Sequence, residues 1–567
     1  MSASGARALR LTWQHGVLLG PNDQPLPLPA GPEPDIAAAH AAVDAWAARL
    51  DILELLPRLG DWSPWWYARF ALVHDVLSRM LPQYRALEAA RAQSPQAQVH
   101  LVSPPMPWWR ALYEQDPRVE VQFRRASRLG ETYMRRSARL ARALLTEQRL
   151  RKLLPPETGR PRVLVVSQSR YWNGREDTLL QGVMHALHAR GLDVRVLVQG
   201  HAEHSLGLAQ VRQRPKQHLF GDVAYLRSLR ARKAPLPAFT LPQVPLVIEG
   251  KDWEPVARRV VDAWVRGAWR ERAIYHSVMP GLLDALRPRA AVLVDEQGGE
   301  HFLHASLVAQ GVQTVAVQHG CIHRDHLHYL YPPGTPPEAV PLPTRTCVFG
   351  EHYRRLLVEE SIYPSEHVVV TGAPHAGPAP ASAEEVAKFR LRIMPAGTQW
   401  LVLFTSQDLL HALAAPRLLD ALRNSTQVHL LIRPHPREYG QDHWERWVRK
   451  RGLERQVTVA RGPSLSIMLQ ACDVHCSVSS TALGEAALFR KPNVVLGSEH
   501  VGDWMGVLEA GVAVELRDFP SLDAAVTTCL AVPRAAFEAA CAGYATAHFF
   551  PQEEASAAIA DITANLL

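Results

Sequence analysis

Cysteine is scarce in this chain: six in 567 residues, at positions 321, 347, 472, 476, 529 and 541. Their scatter argues against a disulfide framework, and they read as reduced core thiols of a protein from a reducing compartment. Cys472 and Cys476 flank His475, yet no second ligand pair follows at zinc spacing, so a structural zinc site is not expected. Long apolar runs are missing too. None reaches the roughly 18 residues that a membrane-spanning helix needs, and the first twenty residues lack the apolar stretch of a secretory signal. The Gly-x-Gly-x-x-Gly fingerprint of nicotinamide dinucleotide sites is absent after the first buried strand. Paired zinc fingers and aromatic RNA-binding strands are also lacking, so no nucleic-acid partner is expected. Acidic residues are in slight deficit, 55 against 62 Lys and Arg, leaving a net charge of +7. Such a surface suits phosphates, anionic lipid head groups or acidic glycans, or reflects only an Arg-rich soluble protein. The expected location is the cytoplasm, with a peripheral place on the inner face of the plasma membrane as the alternative.

What is present points to a folded enzyme-sized chain. Hydrophobic residues make up 47% and charged residues 21%, enough for full cores, and the length suggests two or three domains. Residues 1–155 read as a helical, Trp-rich region, with helical periodicity over about 36–58, 65–95 and 118–153. Trp46, Trp62, Trp65, Trp66, Trp108 and Trp109 crowd there. They serve either as aromatic core between helices or as a platform for acceptor sugar rings or a membrane interface. From Arg162 the pattern changes to short, continuously apolar runs alternating with helices, as in parallel sheets buried on both faces. Strands are expected at 162–167, 193–198, 290–295, 313–320, 344–350 and 367–372. After a Pro- and Ala-rich linker at 374–384, a second series follows at 400–405, 428–432, 456–459, 474–477, 493–496 and 512–516. The expected fold class is therefore α/β: two doubly wound, Rossmann-like lobes, 160–375 and 385–567, behind the N-terminal helical region.

The chemistry-bearing residues fall at strand ends, where open α/β sheets bind ligands. His429-Leu-Leu-Ile-Arg433-Pro-His435-Pro436 runs an apolar strand into a cationic loop stiffened by two prolines. Ser477-Val-Ser479-Ser480-Thr481-Ala-Leu-Gly-Glu485 runs a second strand into a hydroxyl cluster and then a helix, whose first N–H groups would face an anion. Arg433 and His435 add charge-assisted hydrogen bonds to a leaving phosphate, and Glu485, one turn beyond Thr481, is placed to bind ribose hydroxyls. Thr405-Ser406-Gln407 ends the first strand of the second lobe and can bind phosphate or base. In the first lobe, Asp295-Glu296-Gln-Gly298-Gly299-Glu300 follows a strand. It offers a carboxylate base beside flexible glycines, or else a helix N-cap. Gln318-His319-Gly320 ends the next strand, and His319 is a base or a phosphate ligand. Gly372 is expected at a positive φ or a close approach.

With these residues in view, the chain resembles the two-lobed GT-B transferases of bacterial surface-glycan assembly: the group of polysialyltransferases, capsule Kdo transferases and CDP-glycerol glycerophosphotransferases. That group shows a carboxylate–Gly motif, then His-Pro, then a Ser/Thr cluster, matched here by Asp295-Glu296-Gln-Gly298, His435-Pro436 and Ser479-Ser480-Thr481. The resemblance covers about 160–530. Gln297, between the acidic pair and the glycine, departs from the pattern and leaves the base open among Asp295, Glu296 and His319. The resemblance implies a nucleotide-activated donor, CMP- or CDP-linked, and a glycan or lipid-linked acceptor, with no metal or other cofactor. Two rival functions share the fold: a non-hydrolysing UDP-sugar 2-epimerase, and a non-catalytic nucleotide-sugar-binding subunit of a glycan-assembly complex.

Overall fold

The computed structural model describes residues 9–14, 17–19, 36–58, 63–102, 104, 106–123, 129–152, 160–168, 171–172, 176–199, 218–228, 238–294, 301–374, 381–407, 411–435, 438, 442–496, 503–549 and 554–567. They form two compact units. The first gathers Met1–Gln148, Asp222–Ala285 and Leu327–Leu342; the second gathers Arg149–Gly221, Leu286–His326 and Pro343–Leu567.

The first unit is not purely helical, as the periodicity of 1–155 suggests. Beside its helices lies a sheet of β1 (Leu9–Gln14), β2 (Val17–Leu19), β3 (Val99–Val102) and β4 (Val119–Gln122), in the order β2-β1-β3-β4. Runs of three to six residues are too short for a two-residue period to stand out against the flanking helices. The tryptophans divide as their surroundings dictate. Trp46, Trp65, Trp66 and Trp109 are 0–5% exposed, and the Trp46 and Trp66 indoles donate to the Val244 and Ala339 carbonyls at 2.8 and 3.3 Å. These four are core, which removes them from any acceptor or membrane platform. Trp108 is half-buried, and Trp62 lies outside the described residues. One cation in this core is almost wholly buried. Arg69 makes a forked pair with Asp44 at 2.7 and 2.9 Å, donates to the Leu330 carbonyl at 3.1 Å, and meets His40. A hairpin of β8 (Val247–Ile248) and β9 (Lys251–Asp252) belongs to this unit as well.

The second unit holds two parallel sheets, each the centre of one lobe. The first lobe's strands are β5 (Arg162–Gln168), β6 (Asp193–Gln199), β7 (His218–Phe220), β10 (Ala290–Leu293), β11 (Gln313–Val317), β12 (Arg345–Val348) and β13 (Val368–Val370). All are parallel, in the order β13-β12-β11-β10-β5-β6-β7. The second lobe's strands are β14 (Trp400–Thr405), β15 (Val428–Arg433), β16 (Val457–Val459), β17 (Val474–Ser477), β18 (Asn493–Val495) and β19 (Ala513–Glu515), again all parallel. Their order is β16-β15-β14-β17-β18-β19. Both sheets are doubly wound, and the fold class is the two-lobed Rossmann-like α/β architecture expected from the apolar runs. Gly372, after β13, has φ 83°, the positive value anticipated for it. Ser382 and Glu385 form a capping box that opens the helix Ala383–Ile393 just past the linker.

One helix ties the lobes together. Arg534–Phe549 packs against the helix Glu351–Glu359 of the first lobe and the helix Ala482–Leu488 of the second. Two glycines make room for its end. A Cβ on Gly350 would stand 2.6 Å from the His548 carbonyl carbon, and one on Gly484 would stand 2.7 Å from the Phe549 ring. The last helix, Ala555–Asn565, then returns to pack on the helix Gln181–Ala189 of the first lobe. Loops from the carboxyl edges also meet: after β11, Cys321 donates to the Trp504 carbonyl at 2.8 Å, and His323 stacks on the Trp504 ring at 4.0 Å. The carboxyl edges of both sheets therefore border the same interlobe boundary.

Candidate functional site

In a doubly wound sheet the crevice opens where the strand order reverses. In the second lobe that point lies between β14 and β17, whose ends carry Thr405-Ser406-Gln407 and Ser477-Val-Ser479-Ser480-Thr481. The register pairs Thr405 with Arg433 on the other side and Phe404 with Cys476. Three strand ends thus stand side by side, with Arg433 and Ser477 about 10 Å apart across two strand spacings. The hydroxyls, the amide and the guanidinium read from separate stretches of sequence are brought together here.

Their hydrogen bonds sort them into two groups. Ser477 is committed inward, its hydroxyl donating to the Thr405 carbonyl at 2.7 Å, and the Thr405 hydroxyl meets His475 Nε2 at 2.9 Å. Ser479 donates both its N–H and its hydroxyl to Gln407 Oε1, at 2.9 and 3.0 Å. That fixes the amide: with Oε1 occupied, Gln407 turns its two Nε2 hydrogens away from Ser479. Ser480 accepts from the Ala482 N–H at 3.2 Å, which leaves its own hydroxyl proton to donate. Among the described residues, the Thr481 hydroxyl and the backbone N–H groups of Ser480 and Thr481 have no acceptor. Ser406 is 3% exposed, and its Oγ is buried with no partner among the described residues. A buried orphan hydroxyl at a switch point is a reason to look for a ligand. The helix that follows is only seven residues, Ala482–Leu488, so its dipole would add little at this point.

The cationic side agrees. Arg433 is half-buried and donates through Nη1 to the Pro463 carbonyl at 2.7 Å; among the described residues its Nε and Nη2 have no acceptor. The charge of Arg433 also reaches Glu485. Burial pushes the Glu485 carboxyl up to about 7, and Arg433 pulls the other way. By surface area Glu485 is half-buried, in reach of solvent at one side. His435 follows on the same loop. Its N–H donates to Glu438 Oε2 at 2.7 Å, and the Glu438 N–H returns to the His435 carbonyl at 2.7 Å. Glu438 is buried and also meets His443 Nε2 at 3.1 Å. Sequence reasoning passed over Glu438, although a carboxylate three residues beyond His435 is spaced to close such a loop. Pro436 lies outside the described residues.

In the first lobe the order reverses between β5 and β10. Asp295 and Glu296, the first candidates for the base, lie outside the described residues, just after β10 in the sequence. His319 is described, half-buried, beyond the end of β11, the neighbour of β10. Its loop is held by Gln318, which donates from Nε2 to the Gly320 carbonyl at 2.7 Å and accepts the Phe349 N–H on Oε1 at 2.8 Å. Gln318, quoted in the sequence only as part of the Gln-His-Gly strand end, thus ties the loop that carries His319 to the Phe349 backbone. Cys472 and Cys476 are buried thiols, and both His475 nitrogens hold hydrogen bonds, to Thr405 and Asn493.

No protein-family model matches the chain, and no curated relative does. Among solved structures the chain is similar to the S. aureus MnaA–UDP co-structure, at 14% identity and TM-score 0.45, covering 72% of this chain and 98% of that one. It is similar to the UDP-GlcNAc 2-epimerase from Neisseria meningitidis bound to UDP-GlcNAc, at 12% identity and TM-score 0.42, covering 71% of this chain and 100% of that one. A glycosyltransferase from Rickettsia africae ESF-5 is similar at 10% identity and TM-score 0.42, covering 72% and 99% of the two chains.

Proposed function

We propose that this protein is a nucleotide-sugar-dependent glycosyltransferase, or polyol-phosphate transferase, that takes its unit from a CMP- or CDP-linked donor and delivers it to a capsule or other surface-glycan acceptor. The observation that carries the reading is the polarity of the second lobe's switch point. The Gln407 Nε2 group and the open edge of Arg433 present only hydrogens, and the Ser480 and Thr481 hydroxyls each have a proton to give. An oxyanion accepts from all of them, which is what the phosphate of a leaving nucleotide requires. The buried Ser406 hydroxyl is a further donor there.

In the reaction the acceptor hydroxyl oxygen forms a bond to the transferred unit, and its proton passes to Asp295, Glu296 or His319. The bond from that unit to the nucleotide phosphate oxygen breaks, and its electron pair leaves with the nucleotide. Arg433, His435 and the donor face stabilise the charge that gathers on the phosphate. Glu485 is assigned to the ribose hydroxyls. The acceptor side falls to the first lobe and the nucleotide side to the second. The test is incubation with a panel of CMP-, CDP- and UDP-activated donors, with and without capsule oligosaccharides, reading nucleotide release. Release that depends on acceptor supports transfer. Epimerised or free sugar without acceptor points to the 2-epimerase, and no release from any donor refutes the transferase reading.

A further inference from the structure

Beneath the second lobe's switch point runs a buried chain of hydrogen bonds whose direction can be derived. Asn493, His475 and Ser477 are fully buried, and Thr405 is 6% exposed. Asn493 Nδ2 lies 3.1 Å from the Leu483 carbonyl and 3.5 Å from the Val512 carbonyl. Both partners only accept, so this atom is the NH2 group and Oδ1 faces His475 Nδ1 at 2.8 Å. An amide oxygen only accepts, so the His475 proton sits on Nδ1. Nε2 then carries a lone pair, and the Thr405 hydroxyl at 2.9 Å donates to it. Burial pushes the His475 pKa down to about 4, so the ring stays neutral and the direction holds at neutral pH.

We propose that His475 and Asn493 are positioning residues that turn the Thr405 hydroxyl into a hydrogen-bond acceptor, and that this acceptor orients the substrate by receiving an O–H or N–H from its organic part. The Thr405 proton is spent inward, so Thr405 is not a phosphate donor, unlike its neighbours Gln407, Ser480 and Thr481. An ionised phosphate has no hydrogen to give to Thr405. The difference therefore favours one orientation of the ligand: phosphate against the groups that still have a proton to give, hydroxyl- or amine-bearing portion against Thr405. This rests on the nucleotide reading above and adds the orientation of the substrate to it.

Binding of CDP, CDP-glycerol and inorganic pyrophosphate to Thr405→Val and Thr405→Ser tests it by calorimetry. Removing one hydrogen bond costs about tenfold in affinity. Thr405→Val is expected to lose that for CDP if the nucleoside supplies the hydrogen, or for CDP-glycerol alone if the transferred unit does, with pyrophosphate unchanged. Thr405→Ser restores the loss. An equal loss for pyrophosphate, or no loss for any ligand, overturns the proposal; a wild-type protein that binds none of the three instead removes the nucleotide reading itself. Should Thr405→Val not fold, 15N spectra of the histidine-labelled wild type decide. His475 is expected as the Nδ1–H tautomer, with an Nε2 signal that shifts on adding an organic ligand and not pyrophosphate. The Nε2–H tautomer, or an Nε2 signal unmoved by CDP and CDP-glycerol, refutes it.

Discussion

Glu485 offers a test in which stability and function share one titration. Its carboxyl is pushed up to about 7 by burial in the middle of the helix Ala482–Leu488, with Arg433 as the opposing charge. In the unfolded chain it titrates near 4.5. Between those two values the native state holds a proton that the unfolded state has released, so the wild type loses stability as pH rises through 7. A rise of that size corresponds to about 3 kcal/mol as an upper bound, and half-exposure to solvent reduces it to about 1–2 kcal/mol. Glu485→Gln cannot ionise. It should match the wild type near pH 4.5 and exceed its stability by about 1–2 kcal/mol at pH 8. Urea unfolding followed by circular dichroism at half-unit steps gives the difference curve, in which titrations common to both proteins cancel. The same carboxyl is assigned to the ribose hydroxyls, so wild-type nucleotide affinity should change with pH around 7 while that of the variant stays flatter. A stability difference that is constant with pH, or a wild type that gains on the variant as pH rises, refutes the burial argument.

Three further outcomes are expected. Arg433→Ala removes a charge-assisted contact and should weaken nucleotide binding about 10- to 100-fold by calorimetry with little change in melting temperature; unchanged affinity would take Arg433 out of the site. Gly484→Ala drives a methyl into the Phe549 ring at 2.7 Å and should cost about 1–3 kcal/mol of stability. Pairing it with Phe549→Leu should recover part of that loss if the clash is the cause. Arg69→Leu strands the Asp44 carboxylate and two carbonyls beside it, and should destabilise the first unit by about 2–4 kcal/mol in urea unfolding. A change below about 0.5 kcal/mol would mean that the buried ion pair contributes little net stability.

The strand ends were legible because a strand buried on both faces must be continuously apolar. Leu401 to Phe404 and Leu430 to Ile432 show no exposure at all, and the polar residues that interrupt such runs mark where each strand leaves the sheet. Arg433, Thr405 and the Ser479–Thr481 cluster were found that way. The sheet β1–β4 was not, because its strands are short and its burial comes from chain segments remote in sequence. Glu438, Asn493 and the bonding of Gln318 were missed for a related reason. Each acts by a hydrogen bond to a backbone or ring that only a loop closure or a neighbouring strand brings near. Asp295 and Glu296 lie outside the described residues, so their standing still rests on the sequence.

The sequence by itself determined the fold class and most of the chemistry-bearing positions, because the period of apolar burial is a local property and polar groups at its breaks are local too. The tertiary structure alone decided what those polar groups can do. Strand order put Arg433 and the hydroxyl cluster on either side of β14. Which hydroxyls offer a proton and which have already spent it depends on partners tens of residues away, as Thr405 depends on His475 and Asn493. A hydroxyl's polarity belongs to its network, and the network exists only once the chain has folded.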